Sequence, residues 1–453
     1  MKRKYFLQTG AALLLLVSLQ SSAQIGKRFP SERKVVKDPV TSTMLTFLTS
    51  TPAGDSKIYQ THTQWTADGE WLIFRSGRAR NEALAVNEKT GDMVQVTEGG
   101  YTGMLCVARK SMKLYFMQSA STDTTQRRRS GGALRIVEAD LQKIFDDSKK
   151  GAMKPASFYQ RVCGTIPATI DAGGDMALDA DEGFVYFRVG KIEAAKHLQA
   201  GAKVESNFGP RNMGAGPAGL MSMNIKTGEI KYIVSVPFQI GHVQTNPFVS
   251  SEIIFCWETG GKSPQRTWYV KADGSGLRPL YPEAPYEWVT HEAAFSKDEV
   301  AIAIMGHRKV QGVDSTGTDV GGANPGQDAA WGPSGTREKP SGLGIVNLRT
   351  REMVIAGQTP SGSGLWHVNG SADGRWAVGD DFSRSIYLID RHTHEMIMLS
   401  TGHKATAADH PHPTFSADGT RIEIQSAMLS ADGRSMNICI IPVPDEWLKR
   451  TYK

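Results

Sequence analysis

One short turn recurs along this chain, and it constrains the fold more than any other feature. It appears as Trp65-Thr66-Ala67-Asp68-Gly69, Leu178-Asp179-Ala180-Asp181, Phe295-Ser296-Lys297-Asp298-Glu299, Ser371-Ala372-Asp373-Gly374 and Ser416-Ala417-Asp418-Gly419. Asp and Gly tolerate positive φ, so each segment lets one strand reverse into the next. The strands that follow include Trp71-Leu72-Ile73-Phe74, Phe184-Val185-Tyr186-Phe187, Ala301-Ile302-Ala303-Ile304 and Arg375-Trp376-Ala377-Val378. A second kind of turn comes next, at Lys89-Thr90-Gly91-Asp92, Lys226-Thr227-Gly228-Glu229, Ala272-Asp273-Gly274 and His392-Thr393-His394-Glu395. Two hairpins per unit make a four-stranded antiparallel sheet, the blade of a β-propeller.

Blades starting near Thr63, Gly103, Asp175, His242, His291, His367 and His410 number seven, at a spacing of roughly 45–70 residues. The expected fold is therefore all-β: one seven-bladed β-propeller of four-stranded antiparallel blades over residues 24–453. Two insertions lengthen the spacing, a polar one from Ser119 to Gly132 and a Gly- and Ser-rich one from Gln311 to Gly342. The stretch 139–152 reads as a short helix.

Residues 1–23 have the pattern of a secretory signal: Lys2-Arg3-Lys4, an apolar run from Ala11 to Leu19, then Ser21-Ser22-Ala23. The apolar run is too short to span a bilayer, and no later segment is a transmembrane candidate. The mature protein is expected to be periplasmic or secreted. Removing the signal takes three positive charges from the formal +6, leaving about +3, too little to argue for nucleic acid but enough to attract an acidic polymer. Cys106, Cys163, Cys256 and Cys439 are far apart and read as buried free thiols, although export permits a disulfide between adjacent blades.

Other signatures lack the context their chemistry needs. Gly214-Ala215-Gly216-Pro217-Ala218-Gly219 matches a dinucleotide fingerprint but leads into a strand, not a helix. His291-Glu292-Ala293-Ala294-Phe295 begins like a zinc-protease helix and lacks the second histidine. No Gly-x-Ser-x-Gly elbow occurs and seven blades leave no room for a hydrolase domain, so a propeller-bearing serine peptidase is not expected.

Histidines carry the chemistry. His242, His291, His367 and the pair His410/His412 each open a successive blade. Innermost strands line a propeller's channel, so equivalent positions converge on the axis. His410 and His412 are two residues apart and share one strand face, within reach of one metal ion. His62, His197, His307, His392, His394 and His403 lie outside that register and read as structural.

Ile240-Gly241-His242 with Asn246-Pro247, Cys256-Trp257-Glu258, Arg266-Thr267-Trp268, Thr290-His291-Glu292, Trp366-His367 and His410-Pro411-His412-Pro413-Thr414-Phe415 together resemble the oligogalacturonate lyases of polysaccharide lyase family 22. The resemblance spans most of the mature chain and is best from Leu220 onward. It implies a divalent ion, most simply Mn2+, held by His291, His410 and His412, with His242 as catalytic base. The physical logic agrees: β-elimination from a 4-linked uronate needs a base for the C5 proton and an electrophile at the carboxylate. Imidazoles mixed with oxygen ligands suit Mn, Fe or Zn more than Ca, and the choice of manganese comes from the resemblance alone.

Two departures from the family pattern matter. A family glutamine ligand falls at Ala407, leaving His367 or water to fill that coordination position. A family arginine near the uronate falls close to Gly219, so Arg211 or Arg266 would bind the substrate carboxylate. The expected partner is an acidic oligosaccharide, oligogalacturonate or a related uronide. The competing reading is a non-catalytic TolB-like periplasmic propeller that binds glycan or protein. A glycosidase would need paired carboxylates, for which Asp380, Asp381 and Glu258 are the candidates.

Overall fold

Each repeated turn closes a hairpin with the same device. In Ser416–Gly419 the Ser416 hydroxyl donates to Asp418 Oδ1 at 2.5 Å, the Gly419 amide donates to the Ser416 carbonyl at 2.9 Å, and Gly419 adopts φ 69. Ser371 with Asp373 and Thr66 with Asp68 repeat the contact. This computed structural model describes residues 24–121, 132–206, 213–259, 263–284, 287–307, 341–359 and 364–452. The expected signal at 1–23, Arg211 and most of both insertions lie outside the described residues.

The hairpins assemble into seven antiparallel sheets arranged as a propeller. The inner strands are Ser56–Lys57, Thr102–Val107, Met176–Leu178, Ile240–Thr245, Glu287–Ala294, His367–Gly370 and Thr414–Phe415, for blades 1 to 7 in order. The expected starts of blades 2 to 6 fall on or beside these inner strands, whereas Thr63 lies past the inner strand of blade 1 and His410 before that of blade 7. Two blades gain a strand from the N-terminal segment. Arg28–Phe29 adds a fifth strand to blade 1, while Met44–Phe47 supplies the fourth strand of blade 7 and Lys34–Lys37 its fifth. The chain's two ends therefore share one sheet, which closes the ring.

Apolar clusters fill the gaps between successive blades. Ile73 and Val94 meet Phe116 and Val137 between blades 1 and 2, and Trp376 and Leu388 meet Ile424 and Cys439 between blades 6 and 7. Ile438 and Ile440 of blade 7 then pack on Leu72 and Phe74 of blade 1. Strands buried on both faces need apolar residues in succession, which is why Ala83–Asn87 is buried throughout. Each buried Leu, Ile or Phe removed from water contributes about 1.5–3 kcal/mol.

The four cysteines are buried and free, as expected. The expected helix forms over Leu141–Lys150, with Asp140 capping its N-terminus and Gly151, at φ 66, ending it. Ala215–Gly219 of the fingerprint-like segment already belong to a strand, as does His291. Among the described residues no helix is long and apolar enough to cross a membrane.

Candidate active site

The inner strands of blades 4 to 6 and the irregular segment before blade 7's inner strand bring the five expected histidines together, with His367 at their centre; His410 and His412 lie in that segment, not on one face of a strand as expected. Its ring lies 4.3 Å from His291, 3.7 Å from His412 and 5.2 Å from His410, centroid to centroid. His242 lies 5.9 Å from His291, stacked parallel to it. His242 and His412 share an unusual backbone, with φ of 50 and 51. Left-handed conformations are costly for non-glycine residues and recur at functional sites, where they re-aim a side chain. At His242 the turn accompanies a break in register between Gly241 and Gln244.

Carboxylates divide the cluster into two parts. Asp380 is fully buried and faces both His367 Nδ1 at 3.1 Å and His410 Nδ1 at 3.2 Å. His367, Asp380 and His410 form one group whose ligand atoms could hold a metal ion. Burial disfavours the Asp380 anion, yet the two imidazoles hold its carboxyl well below the usual range. Burial, helped by His412, pushes the His367 pKa down to about 3 despite Asp380. His291 is likewise driven well below its ordinary value by burial and by the neighbouring His367, Arg266 and His242. Neutral imidazoles are the form that binds metal.

Unpaired buried nitrogens mark the same place. His291 Nδ1 has no hydrogen-bond partner. His412 Nδ1–H donates to Gln60 Oε1 at 2.7 Å. Its Nε2 lies 3.1 Å from Asp409 Oδ2 without hydrogen-bond alignment. A buried polar atom left unpaired is costly, and a bound cation would satisfy these.

The second part surrounds His242. Glu292, fully buried, meets His242 Nδ1 at 2.9 Å through Oε1 and Arg266 Nε at 3.1 Å through Oε2. Glu258 lies 3.4 Å from His242 Nε2. Burial lowers the His242 pKa, but Glu292 and Glu258 outweigh it and hold the imidazole above its ordinary value. Arg266, expected to meet a substrate carboxylate, is only 2% exposed in its side chain and sits against Glu292 and Glu258. Its guanidinium is committed to the acids behind His242.

Tyr59 was not singled out by the sequence, yet its ring is 5.0 Å from His412 and 5.1 Å from His242. Trp366 stands against His291 and His410 at 4.7 and 6.0 Å. The histidines read as structural are so placed where their rings are described: His62 bonds the Met176 carbonyl, and His403 bridges Ser400 and Ser426.

Two solved structures share this arrangement of blades. One is an oligogalacturonate lyase in complex with manganese, 17% identical, with a TM-score of 0.67 over 94% of this chain and all of that one. The fold is that of oligogalacturonate lyases. A second, the oligogalacturonate lyase from Vibrio parahaemolyticus, is 18% identical with the same TM-score and coverage. No family model matches the chain, and no curated protein matches its sequence.

Alternation along a strand gave no sign of Glu292, because His291 and Glu292 should face opposite ways. Glu292 does face away from its neighbour, and it reaches His242 across the gap between blades 4 and 5. Asp380 was visible as a carboxylate, without any sequence signal that two histidines share it.

Proposed function

We propose that this chain is a metal-dependent lyase that cleaves a 4-linked uronide by β-elimination, with oligogalacturonate or a close relative as substrate. The observation that carries the reading is His242, backed by a buried carboxylate and adjoining a histidine cluster with unpaired nitrogens. His367, Asp380 and His410, whose ligand atoms lie together, would hold a divalent cation with His291 and His412 beside them, and manganese is the ion of a similar structure. When bound, the cation neutralises the uronate carboxylate and stabilises the charge that develops there.

The chain's own groups do the proton work. Glu292 accepts the Nδ1 proton of His242, which fixes the tautomer and leaves the lone pair of Nε2, beside Glu258 at 3.4 Å, to take the C5 proton. Electrons released at C5 form the C4–C5 double bond as the bond from C4 to the glycosidic oxygen breaks; the departing oxygen takes a proton from water, and His242 returns its own to solvent. Arg266 pairs with Glu292 at 3.1 Å and with Glu258 at 3.7 Å, and so holds both acids behind His242. Its own pKa is raised: burial alone would lower it, and Cys256, Glu292 and Glu258 reverse that. The leader-like first residues support action outside the cytoplasm.

The test is direct. Incubation with a panel of uronides should produce the ultraviolet absorbance of a conjugated unsaturated uronate, and a chelator should abolish it. Reducing ends without that chromophore would indicate hydrolysis and defeat the reading; a propeller that only binds glycans would yield neither signal.

A further inference from the structure

The inner strands start at the histidine cluster and end at the Asp-Gly turns, and a second cavity of about 570 Å³ opens at that far end. Its wall includes Arg109, Gln64, Thr63, Asn369 and Arg421. None of the five clustered histidines lines it.

Charge accounting leaves one uncompensated cation there. The acids at the cavity are committed: Asp68 to Thr66 and the Glu70 amide, Asp418 to Ser416, Thr420 and Arg421, and Glu70 to Lys89. Arg421 also pairs with Glu88. Arg109 has no hydrogen-bond or ion-pair partner among the described residues, and its guanidinium lies over the Phe248 ring at 4.3 Å. Asp179 and Glu182 nearby are occupied by Ser250, Ser251, Lys110 and Ser111.

Orphaned amide and guanidinium atoms accompany it. Gln60 Nε2, Gln64 Oε1 and Arg421 Nε are buried without partners, and all three residues line the cavity. Gln60 and Gln64 are 2% and 1% exposed. The free Arg109 guanidinium suits a molecule with one carboxylate, and the polar residues of the wall suit its hydroxyls. The volume falls within the range of small-molecule sites.

We propose that the far mouth of the channel is a separate binding site for a polyhydroxylated monocarboxylate of sugar-acid size, anchored by Arg109. None of the five histidines lines the site, although Gln60 adjoins both it and His412, and the proposal does not depend on the chain being a lyase.

Titration calorimetry on the full chain with galacturonate, and with galactose as the uncharged match, tests this. Galacturonate should bind wild type and His410→Ala alike. Arg109→Gln should weaken it at least tenfold without altering the melting temperature, and Arg109→Lys should recover part of the loss. Galactose should bind at least tenfold more weakly than galacturonate. No galacturonate binding to wild type, equal binding of the two sugars, unchanged affinity in Arg109→Gln, or loss confined to His410→Ala would each overturn the site. Lyase activity of Arg109→Gln, read separately, keeps this outcome distinct from that of the proposed reaction.

Discussion

His242 Nδ1 and the buried Glu292 carboxylate lie 2.9 Å apart, across two neighbouring blades. The contact orients the imidazole and stabilises its protonated form. Glu292→Gln should therefore lower turnover by roughly 10²–10⁴-fold, the share of a positioned general base. The base must be neutral to act, so activity rises with pH as His242 loses its proton. Glu292 and Glu258 hold that pKa up. Removing one of the charges should move the rising limb of the pH–rate profile to lower pH; a limb that stays put would separate His242 from the reaction.

His242→Ala should retain the metal and oligouronide binding while losing turnover by roughly two to four orders of magnitude. Metal analysis and calorimetry beside a rate assay check all three. Loss of the ion together with activity would make His242 a ligand.

Alanine at His291, His367, His410 or His412 should reduce the metal content of purified protein. The apolar packing between blades is made by residues outside this cluster, so circular dichroism should remain that of the folded sheet. Undiminished metal in His410→Ala would remove it from the coordination set.

Gln60 holds His412 Nδ1 at 2.7 Å. Partners of this kind orient a metal ligand, and their loss typically costs about 10–100-fold in affinity. Gln60→Ala should show that loss in a chelator competition.

Lys57 and Glu423 form a buried pair, 3.7 Å apart and at most 1% exposed in their side chains. Burial lowers the Lys57 pKa to about 8 and raises that of Glu423 to about 7, each against the attraction of the other. Glu423→Gln strands the ammonium and should destabilise the protein by roughly 3–5 kcal/mol. Lys57→Met with Glu423→Leu should recover most of it, as denaturant unfolding would show.

Blade number and the inner strands were legible because the turn chemistry repeats: Asp-Gly turns act locally and carry their own signature. The closure of blade 7 was not, since the partner of Asn437–Pro442 lies near the other end of the chain, in Met44–Phe47. Nothing local in Met44–Phe47 distinguishes it from an edge strand. The histidine set was legible for a similar reason. Each member begins a blade, and the ring's symmetry turns equal register into a shared axis.

The sequence by itself determined the seven-bladed ring and the convergence of His242, His291, His367, His410 and His412, because turn chemistry and strand period are local. Only the tertiary structure decided the partners: Glu292 and Arg266 behind His242, Asp380 between His367 and His410, and Gln60 on His412. These contacts cross between blades or between distant strands. Their geometry depends on blade rotation and on the left-handed backbone at His242 and His412, neither of which has a one-residue signature.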